Sequence, residues 1–352
     1  MFVPGTVDVD DEVLQAQAQP MLPHRSKEFE EIFHRASEKA RELFFTRHRV
    51  FLTASSGTGL QEAAVRNFVD RKVLSCSNGA FADRWYDVAV SNGKDVEKLD
   101  FEWDQPVDPE RVAAAVKGGG FEALTIVHNE TSTGMQNPVK EVAEAVRAVA
   151  PDTLILVDAV SSLGGARIEM DAWGLDMVLT SSQKAIALPP GLGLGAVSDR
   201  AMGKAETVEN RGWYFDLVRM EKHRLKDSSP ATPAMSLIFA LDHQLDRILA
   251  EGLENRFARH SAMAQRVQEW ADAHDLSMYA PEGFRSQTVT TIKNERGIDI
   301  SDLNAFLKQR GMRVANGYGP LKNKTFRIAH MGEIQMEDLE ELFAAMEDYL
   351  KR

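Results

Sequence analysis

Short β-rich runs alternate with longer amphipathic stretches over the first 200 residues, and this alternation constrains the fold more than any other feature. The runs are Val50–Ala54, Val73–Ser77, Leu124–His128, Thr153–Asp158, Met177–Thr180 and Leu194–Ser198. Between them, apolar residues recur at the three- and four-residue spacing of helices in Gly59–Asp70, Ala80–Ser91, Pro109–Lys117 and Lys140–Val149. Several runs are apolar nearly throughout, which is typical of parallel strands covered by helices on both faces. The sequence therefore predicts an α/β domain.

The pattern changes after about residue 200. Helical segments then follow one another without strands between them, over Trp213–Leu225, Pro233–Ala250 and Glu254–His274. Beyond them, Gln287–Lys293 and Thr325–Ile328 read as strands, and Ile300–Arg310 and Met336–Leu350 read as helices. A chain of 352 residues has room for roughly two domains. We therefore expect a second, smaller α+β domain that begins near residue 255.

Charge and cysteine content exclude several classes of function. The 41 basic residues against 53 acidic ones give a net charge of −12, which opposes the binding of nucleic acid. No apolar run approaches the ~20 residues of a membrane span, and the opening residues lack the pattern of a signal peptide. The single cysteine, Cys76, cannot form an internal disulfide, and the scattered histidines lack the spacing of a metal site. These features predict a cytoplasmic protein that needs no metal.

Ligands bind at the carboxyl ends of the strands in sheets of this type, and four of the predicted ends carry unusual polar groups. The first is Ser55-Ser56-Gly57-Thr58-Gly59, where hydroxyls and glycines precede a helix. Exposed N–H groups and the helix dipole at such a turn favour a phosphate, although a capped strand-to-helix turn uses the same residue types.

Two further strand ends carry charged groups. Asp158 ends four apolar residues, and a carboxylate at the edge of a core needs a cation or strong donors unless it is a plain helix cap. Lys184 follows another strand, amid hydroxyls and just before Pro189-Pro190-Gly191. A desolvated lysine at such a place is a usable amine nucleophile for a Schiff base, whereas most lysines taken singly are exposed loop residues.

The fourth strand end is a polar run from His128 to Gly134. So many neighbouring polar side chains are excessive for a turn, and we expect at least one of them to contact a ligand. His128 itself is interpreted as a structural, hydrogen-bonded histidine, because nothing in the sequence pairs it with a chemical role.

Together the strand ends offer an anion site, a carboxylate at the edge of a core and a nucleophilic amine. Pyridoxal 5′-phosphate needs these three groups, for its phosphate, its pyridinium nitrogen and its aldehyde. The sequence therefore indicates this cofactor.

The chain also resembles the class V aminotransferases of the fold-type I pyridoxal-phosphate enzymes, in the alanine/serine–glyoxylate (serine–pyruvate) branch. The most specific stretch runs from Val157-Asp158-Ala159-Val160-Ser161-Ser162 to Ser182-Gln183-Lys184-Ala185. Further matches are Pro4-Gly5, His24-Arg25-Ser26, Ser56-Gly57-Thr58, the run from Glu130 to Gly134, and Arg327. The resemblance implies a mainly parallel seven-stranded sheet between helices. It also implies a segment 1–20 that contributes to the active site, a large domain 21–254 and a small α+β domain 255–352.

The resemblance assigns roles to individual residues. Lys184 would bind the cofactor aldehyde, Asp158 would pair with its pyridinium nitrogen, and Arg327 would bind the substrate α-carboxylate. Gly5 would be a second substrate-binding residue. The other cofactor contacts would come from Ser56, Gly57 and Thr58 at the phosphate, Thr131 at the phenolic oxygen, Gln183 at the phosphate or ring, and Phe81 stacked on the ring.

One stretch departs from the family pattern. Close relatives carry a tyrosine before the helix that starts near Pro233, and it reaches the phosphate bound by the neighbouring subunit. This chain has Asp227-Ser228-Ser229-Pro230-Ala231-Thr232-Pro233 instead. We expect Thr232 to take the place of this tyrosine in a homodimer with shared active sites.

The resemblance implies transamination by a ping-pong mechanism, from serine or alanine to glyoxylate or pyruvate. Aspartate or phosphoserine as the donor is the first alternative. A cysteine desulfurase is a less favoured one, because Cys76 lies inside an apolar run and Gln183, rather than histidine, precedes Lys184. A dinucleotide-binding loop at Gly191–Gly195 is disfavoured because that segment leads into a strand and not into a helix. A binding protein that has lost catalysis is a further alternative, disfavoured by the complete set of Lys184, Asp158 and Arg327.

Overall fold

The computed structural model describes residues 1–351 of the chain. Its strands are β1 Arg49–Thr53, β2 Lys72–Ser77, β3 Asp95–Asp100, β4 Ala123–Val127, β5 Asn129–Glu130, β6 Met135–Gln136, β7 Leu154–Asp158, β8 Met177–Ser181, β9 Gly193–Val197, β10 Val289–Lys293, β11 Ala315–Asn316 and β12 Thr325–Ala329. Its helices are α1 Asp11–Gln17, α2 Lys27–Leu43, α3 Gly57–Phe68, α4 Ala80–Ser91, α5 Pro109–Val116, α6 Val139–Val149, α7 Asp199–Thr207, α8 Leu217–Arg224, α9 Met235–Glu251, α10 Leu253–Asp272, α11 Ile300–Lys308 and α12 Met336–Leu350. Among these residues no helix is both long and apolar enough to span a membrane.

A seven-stranded sheet in the order β1-β9-β8-β7-β4-β2-β3 forms the centre of the larger part of the molecule. All neighbouring strands pair in parallel except β9, which is antiparallel to both β1 and β8. The α/β fold with a mainly parallel sheet, predicted from the alternating runs, is thus confirmed. Apolar side chains of both faces pack against helices, so the sheet is buried between two helical layers.

Strand β3 is absent from the strands that the sequence pattern identified. It lies at the edge of the sheet, and its side chains alternate between partly covered and exposed. The charged Asp95, Glu97, Lys98 and Asp100 give it no apolar run, as is common for an edge strand protected from aggregation. The segment predicted as a helix from Trp213 also differs, because α8 begins only at Leu217, where Asp216 caps its first N–H groups.

The C-terminal part contains a three-stranded antiparallel sheet in the order β10-β12-β11. Side chains of α10, α11 and α12 cover it and form a separate apolar core around Trp270, Phe326 and Phe343. Helix α10 begins at Leu253, close to the predicted boundary at residue 255. The division of the chain into domains at that residue stays a prediction.

The first residues of the chain connect the two cores. Phe2 packs into the C-terminal core, and its main chain bonds to Arg313 and Ala329. Pro4 and Gly5 then reach Lys184 beside the large sheet, and α1 packs on α9. The N-terminal segment therefore lies between the two parts of the molecule.

Candidate active site

A cavity of about 410 Å³ opens at the carboxyl ends of β4, β7 and β8, where the strand pattern predicts a ligand. It is lined by ten of the residues that the sequence analysis selected: Gly5, Ser56, Gly57, Thr58, Phe81, Thr131, Asp158, Gln183, Lys184 and Arg327. Residues from both cores and from the N-terminal segment thus meet in one cavity.

Lys184 lies just after β8 and is only 8% exposed. Its Nζ donates a hydrogen bond to the carbonyl oxygen of Pro4. Burial, together with the charge of Arg327, lowers the pKa of the Lys184 amine to about 8. Gly5 fits against this side chain because it has no Cβ, which would lie 2.7 Å from Lys184 Cε, and its φ of +93° also favours glycine. The amine is therefore held in place and is more readily deprotonated than a surface lysine.

Asp158 ends β7 at the base of the cavity. Its Oδ2 accepts a hydrogen bond from Gln61 Nε2 at 2.7 Å, and its Oδ1 accepts one from the Val160 N–H at 2.8 Å. Burial raises the pKa of the carboxyl group, and these two donors and the charge of Lys184 oppose that rise. No ion pair holds Asp158 within residues 1–351, so this carboxylate is suited to a cationic N–H group of a ligand.

The predicted phosphate cradle lies at the start of α3. Ser56 occupies the N-cap position, yet its side chain makes no capping bond. Gly57 lies so close to Val160 that a Cβ would be 2.4 Å from Val160 Cγ2. Opposite this turn, Ser181 Oγ is buried without a hydrogen-bond partner. A phosphate at the helix N-terminus would satisfy these groups.

Arg327 projects from β12 into the same cavity and is 7% exposed. Its Nε and Nη2 donate to the carbonyl oxygen of Asn316 and its Nη1 donates to that of Thr131, at 3.0 to 3.2 Å. No carboxylate of the described residues pairs with it, and burial lowers its pKa to about 10. Such a buried, fixed guanidinium is a strong site for a ligand carboxylate.

The polar run after β4 divides between ligand-facing and structural side chains. Asn129 and Thr131 line the cavity, and Thr131 Oγ1 is 2.6 Å from Ser161 Oγ. Glu130 points away, and its two oxygens accept hydrogen bonds from the main chain of Phe81, Ala82 and Ser132 and from the Ser132 hydroxyl. Glu130 thereby fixes the first turn of α4.

His128 is buried and hydrogen-bonded to Ser162 Oγ at 2.9 Å, and burial lowers its pKa to about 4. It does not line the cavity, which agrees with the structural role expected from the sequence.

Six polar cavity residues received no individual role from the sequence: Gln61, Arg84, Asn129, Ser161, Ser181 and Tyr318. Gln61 and Arg84 lie one turn into α3 and α4, so helical spacing from Thr58 and Phe81 places them on the same faces. Tyr318 carried no signal, because it comes from the loop after β11 and contacts Phe81, 237 residues earlier, with ring centroids 5.5 Å apart.

Thr232 does not line this cavity. It is exposed, in the loop before α9, and borders a separate apolar groove with Leu52, Tyr214 and Ile238. Within one chain it is therefore not part of the active site.

The residues present fit pyridoxal phosphate. The cavity combines an anion-binding turn, a lysine amine and a carboxylate, and the buried Gln183 Oε1, Asn129 Oδ1 and Ser181 Oγ have no partner within residues 1–351. Orphaned polar atoms of this kind are costly unless a ligand satisfies them. When bound, the cofactor supplies an aldehyde, which reacts with an amine, and a ring that accepts electrons.

Comparison with known proteins agrees with this geometry. Residues 8–341 match the family model described as aminotransferase class-V. The chain is 36% identical to the L-aspartate–glyoxylate aminotransferase of Paracoccus denitrificans, over 95% of this chain and 86% of that protein. It is also 36% identical to the serine–glyoxylate aminotransferase of Hyphomicrobium methylovorum, over 94% and 84%. An aspartate aminotransferase of Thermus thermophilus superposes with a TM-score of 0.93 at 31% identity, over 99% of this chain and 98% of that one. The chain therefore belongs to the class V aminotransferases, which are pyridoxal-phosphate-dependent enzymes of fold type I.

Proposed function

We propose that this enzyme moves the amino group of a small L-amino acid to glyoxylate or pyruvate in two half-reactions at one site. The observation that carries the proposal is that the Lys184 amine and the Arg327 guanidinium, which has no carboxylate partner among residues 1–351, face the same cavity above Asp158. Relatives that use glyoxylate according to their names support this acceptor. Serine and alanine are the donors that the family branch implies.

Different residues of this chain would bind the substrate, transfer the proton and hold the cofactor. Arg327 binds the α-carboxylate of donor and acceptor in turn, which fixes the α-carbon near Lys184. The free Lys184 amine, whose pKa is lowered, would take the proton from that carbon and deliver it to the aldehyde-derived carbon of the cofactor, and the second half-reaction would reverse this transfer. Asp158 would hold a proton on the ring nitrogen, Ser56, Gly57 and Thr58 would bind the phosphate, and Gln183 would contact the phosphate or the ring. Phe81 and Thr131 would fix the ring by stacking and by a bond to its phenolic oxygen.

A visible absorption spectrum of the purified protein with added cofactor tests the proposal. Sequential addition of serine, alanine, aspartate and phosphoserine should reveal a donor that removes the cofactor absorbance, and glyoxylate or pyruvate should restore it. Lys184→Ala should abolish turnover, while Lys204→Ala, a control in α7 outside the cavity, should leave it unchanged. Turnover retained by Lys184→Ala would refute the assignment.

The alternatives raised by the sequence lack support in the structure. Cys76 lies inside β2, and burial raises the pKa of its thiol to about 12, so it is not the mobile nucleophile that a desulfurase needs. The glycines from Gly191 to Gly195 enter β9 and do not open a helix, unlike a dinucleotide-binding loop.

We further propose a homodimer in which Thr232 reaches the phosphate held by the partner subunit. Its support is the apolar groove beside Thr232 and the exposed aromatic side chains of Trp213 and Tyr214, which are 54% and 45% exposed. Exposed apolar groups gathered in one region favour an interface. A cytoplasmic location is also part of the proposal, supported by the single, buried cysteine, and cell fractionation tests it.

A further inference from the structure

Two arginines of the cavity contact the same tyrosine. Arg84 Nη2 donates a hydrogen bond to the Tyr318 hydroxyl at 3.2 Å, and Arg327 Cζ lies 5.6 Å from the centre of the Tyr318 ring. Arg84 comes from α4 and Arg327 from β12, so the two guanidinium groups approach from opposite parts of the molecule. Both groups therefore lie against one phenol side chain.

Neither guanidinium forms an ion pair with a carboxylate of residues 1–351. Arg84 donates to the Tyr318 hydroxyl and packs on the Phe81 ring, 4.8 Å away, while Arg327 donates to main-chain carbonyls. The two nearby carboxylates already accept hydrogen bonds. Gln61 and Val160 donate to Asp158, and N–H groups in the first turn of α4 donate to Glu130. Two cations without partners in one cavity favour a ligand with two negative groups.

We infer that Arg84 is a specificity-determining residue that binds the side-chain carboxylate of a four-carbon dicarboxylic donor, aspartate, while Arg327 binds the α-carboxylate. The inference rests on the proposed function and changes its donor from serine or alanine to an acidic amino acid. The Tyr318 hydroxyl occupies the position on Arg84 that the second carboxylate takes. Because both guanidinium groups contact this one side chain and line the same cavity, a short dicarboxylic acid such as aspartate can bind to both.

Arg84 also packs on Phe81, so a role limited to positioning that ring has to be separated from substrate recognition. Arg84→Gln removes the charge but keeps a long side chain with an N–H group for Tyr318. Arg111→Gln is the matched control, because Arg111 packs in the same way on Phe101, 4.3 Å away, and lies outside the cavity. Tyr318→Phe removes the hydroxyl and leaves both charges.

The first measurement uses the cofactor-loaded enzyme with glyoxylate and compares aspartate, asparagine, alanine and O-phosphoserine as donors. We expect a kcat/KM for aspartate at least about 100-fold above those of asparagine and alanine, because a charged pair discriminates strongly against uncharged side chains. The value for aspartate should also exceed that for O-phosphoserine, whose side chain is longer and bulkier. Arg84→Gln should lower the value for aspartate by at least about 30-fold and that for alanine by less than about threefold. Arg111→Gln should change neither, and Tyr318→Phe should retain the preference for aspartate.

The second measurement is equilibrium binding of two unreactive acids, succinate and butyrate, followed by the change in cofactor absorbance. Arg84→Gln should weaken succinate binding at least about tenfold and leave butyrate unchanged. Equal losses for aspartate and alanine, or for succinate and butyrate, would show that Arg84 only positions Phe81 and would overturn the inference. A wild-type preference for alanine, serine or phosphoserine would also overturn it and leave transamination intact. If no donor reacts at all, the proposed function fails, and succinate binding still tests Arg84.

Discussion

At the scale of single residues, burial gives Lys184 the reactivity that its position requires. The pKa of its amine is lowered to about 8, chiefly by desolvation and then by Arg327. The neutral amine is the form that attacks an aldehyde, and a lower pKa extends its population toward neutral pH.

The pH dependence of cofactor uptake follows from that pKa. For cofactor-free protein mixed with pyridoxal phosphate, the uptake rate should rise about fivefold between about pH 7 and pH 8 and less than about twofold between pH 8 and pH 9. A lysine with an ordinary pKa would give about tenfold in each interval. Stopped-flow absorbance measures the rate, and Lys184→Ala should remove the covalent phase. Tenfold rises in both intervals would contradict the lowered pKa.

Substrate binding by Arg327 depends on the geometry of its guanidinium as well as on its charge. Three of its nitrogens are fixed by main-chain carbonyls, so the guanidinium has one orientation in the cavity. Arg327→Lys keeps the charge but loses the planar fork, and kcat/KM should fall about 100-fold for every donor. Arg313→Lys, on an exposed residue near β11, should have no effect. Steady-state kinetics provide the measurement, and an unchanged kcat/KM in Arg327→Lys would exclude a bidentate contact.

At the scale of elements, the strand ends place the reacting groups and α4 carries Phe81 and Arg84. The first turn of α4 depends on Glu130, whose two oxygens accept four hydrogen bonds, and Gly79 beside it leaves no space for a Cβ. Glu130 is fully buried, although the run around it suggested a ligand contact.

Glu130→Gln should therefore destabilise the protein. The amide NH2 group of the new side chain would face N–H or O–H groups that donate to the carboxylate in the wild type, and these donors would lose their acceptor. We therefore expect the free energy of unfolding to fall by about 1–3 kcal/mol. Glu337→Gln, in the exposed first turn of α12, should cost less than about 0.5 kcal/mol. Urea denaturation of both variants checks this expectation. Equal stability of the Glu130→Gln variant and the wild type would show that these bonds contribute little.

The strands show which elements sequence patterns find. All six apolar runs are strands in the structure, and both ends of each strand lie within one residue of the predicted bounds. The edge strand β3 was not predicted, because its charged residues leave no apolar pattern. The antiparallel direction of β9 was not predicted, because it depends on how the chain returns to the sheet after Lys184.

At the scale of the whole molecule, the site is assembled from parts that are far apart in the chain. The N-terminal segment supplies Pro4 and Gly5, the large sheet supplies Lys184 and Asp158, and the C-terminal sheet supplies Arg327. The proposed homodimer would add Thr232 of a second subunit.

The dimer predicts a measurable effect of Thr232. Light scattering should give twice the chain's mass of 39.1 kDa for the wild type and for Thr232→Val. The variant should bind pyridoxal phosphate about 10-fold more weakly, because one hydrogen bond to a charged group is lost. Thr207→Val, at the end of α7, is the control and should bind normally. A monomeric wild type, or unchanged cofactor affinity in Thr232→Val, would refute the shared site.

The fold class and the cofactor could be predicted from the sequence, because they depend on two local features, apolar periodicity and polar residues directly after apolar strands. The family followed from the resemblance of the motifs. Ser56, Asp158 and Lys184 could be selected since each stands beside a strand in the chain. The tertiary structure alone decided which of the polar neighbours face the cavity, as with Asn129 and Glu130. It also decided the approach of Arg84 to Tyr318, which are separated by 234 residues. Contacts between distant segments leave no local pattern in a sequence, since only the packing of the two cores brings such residues together.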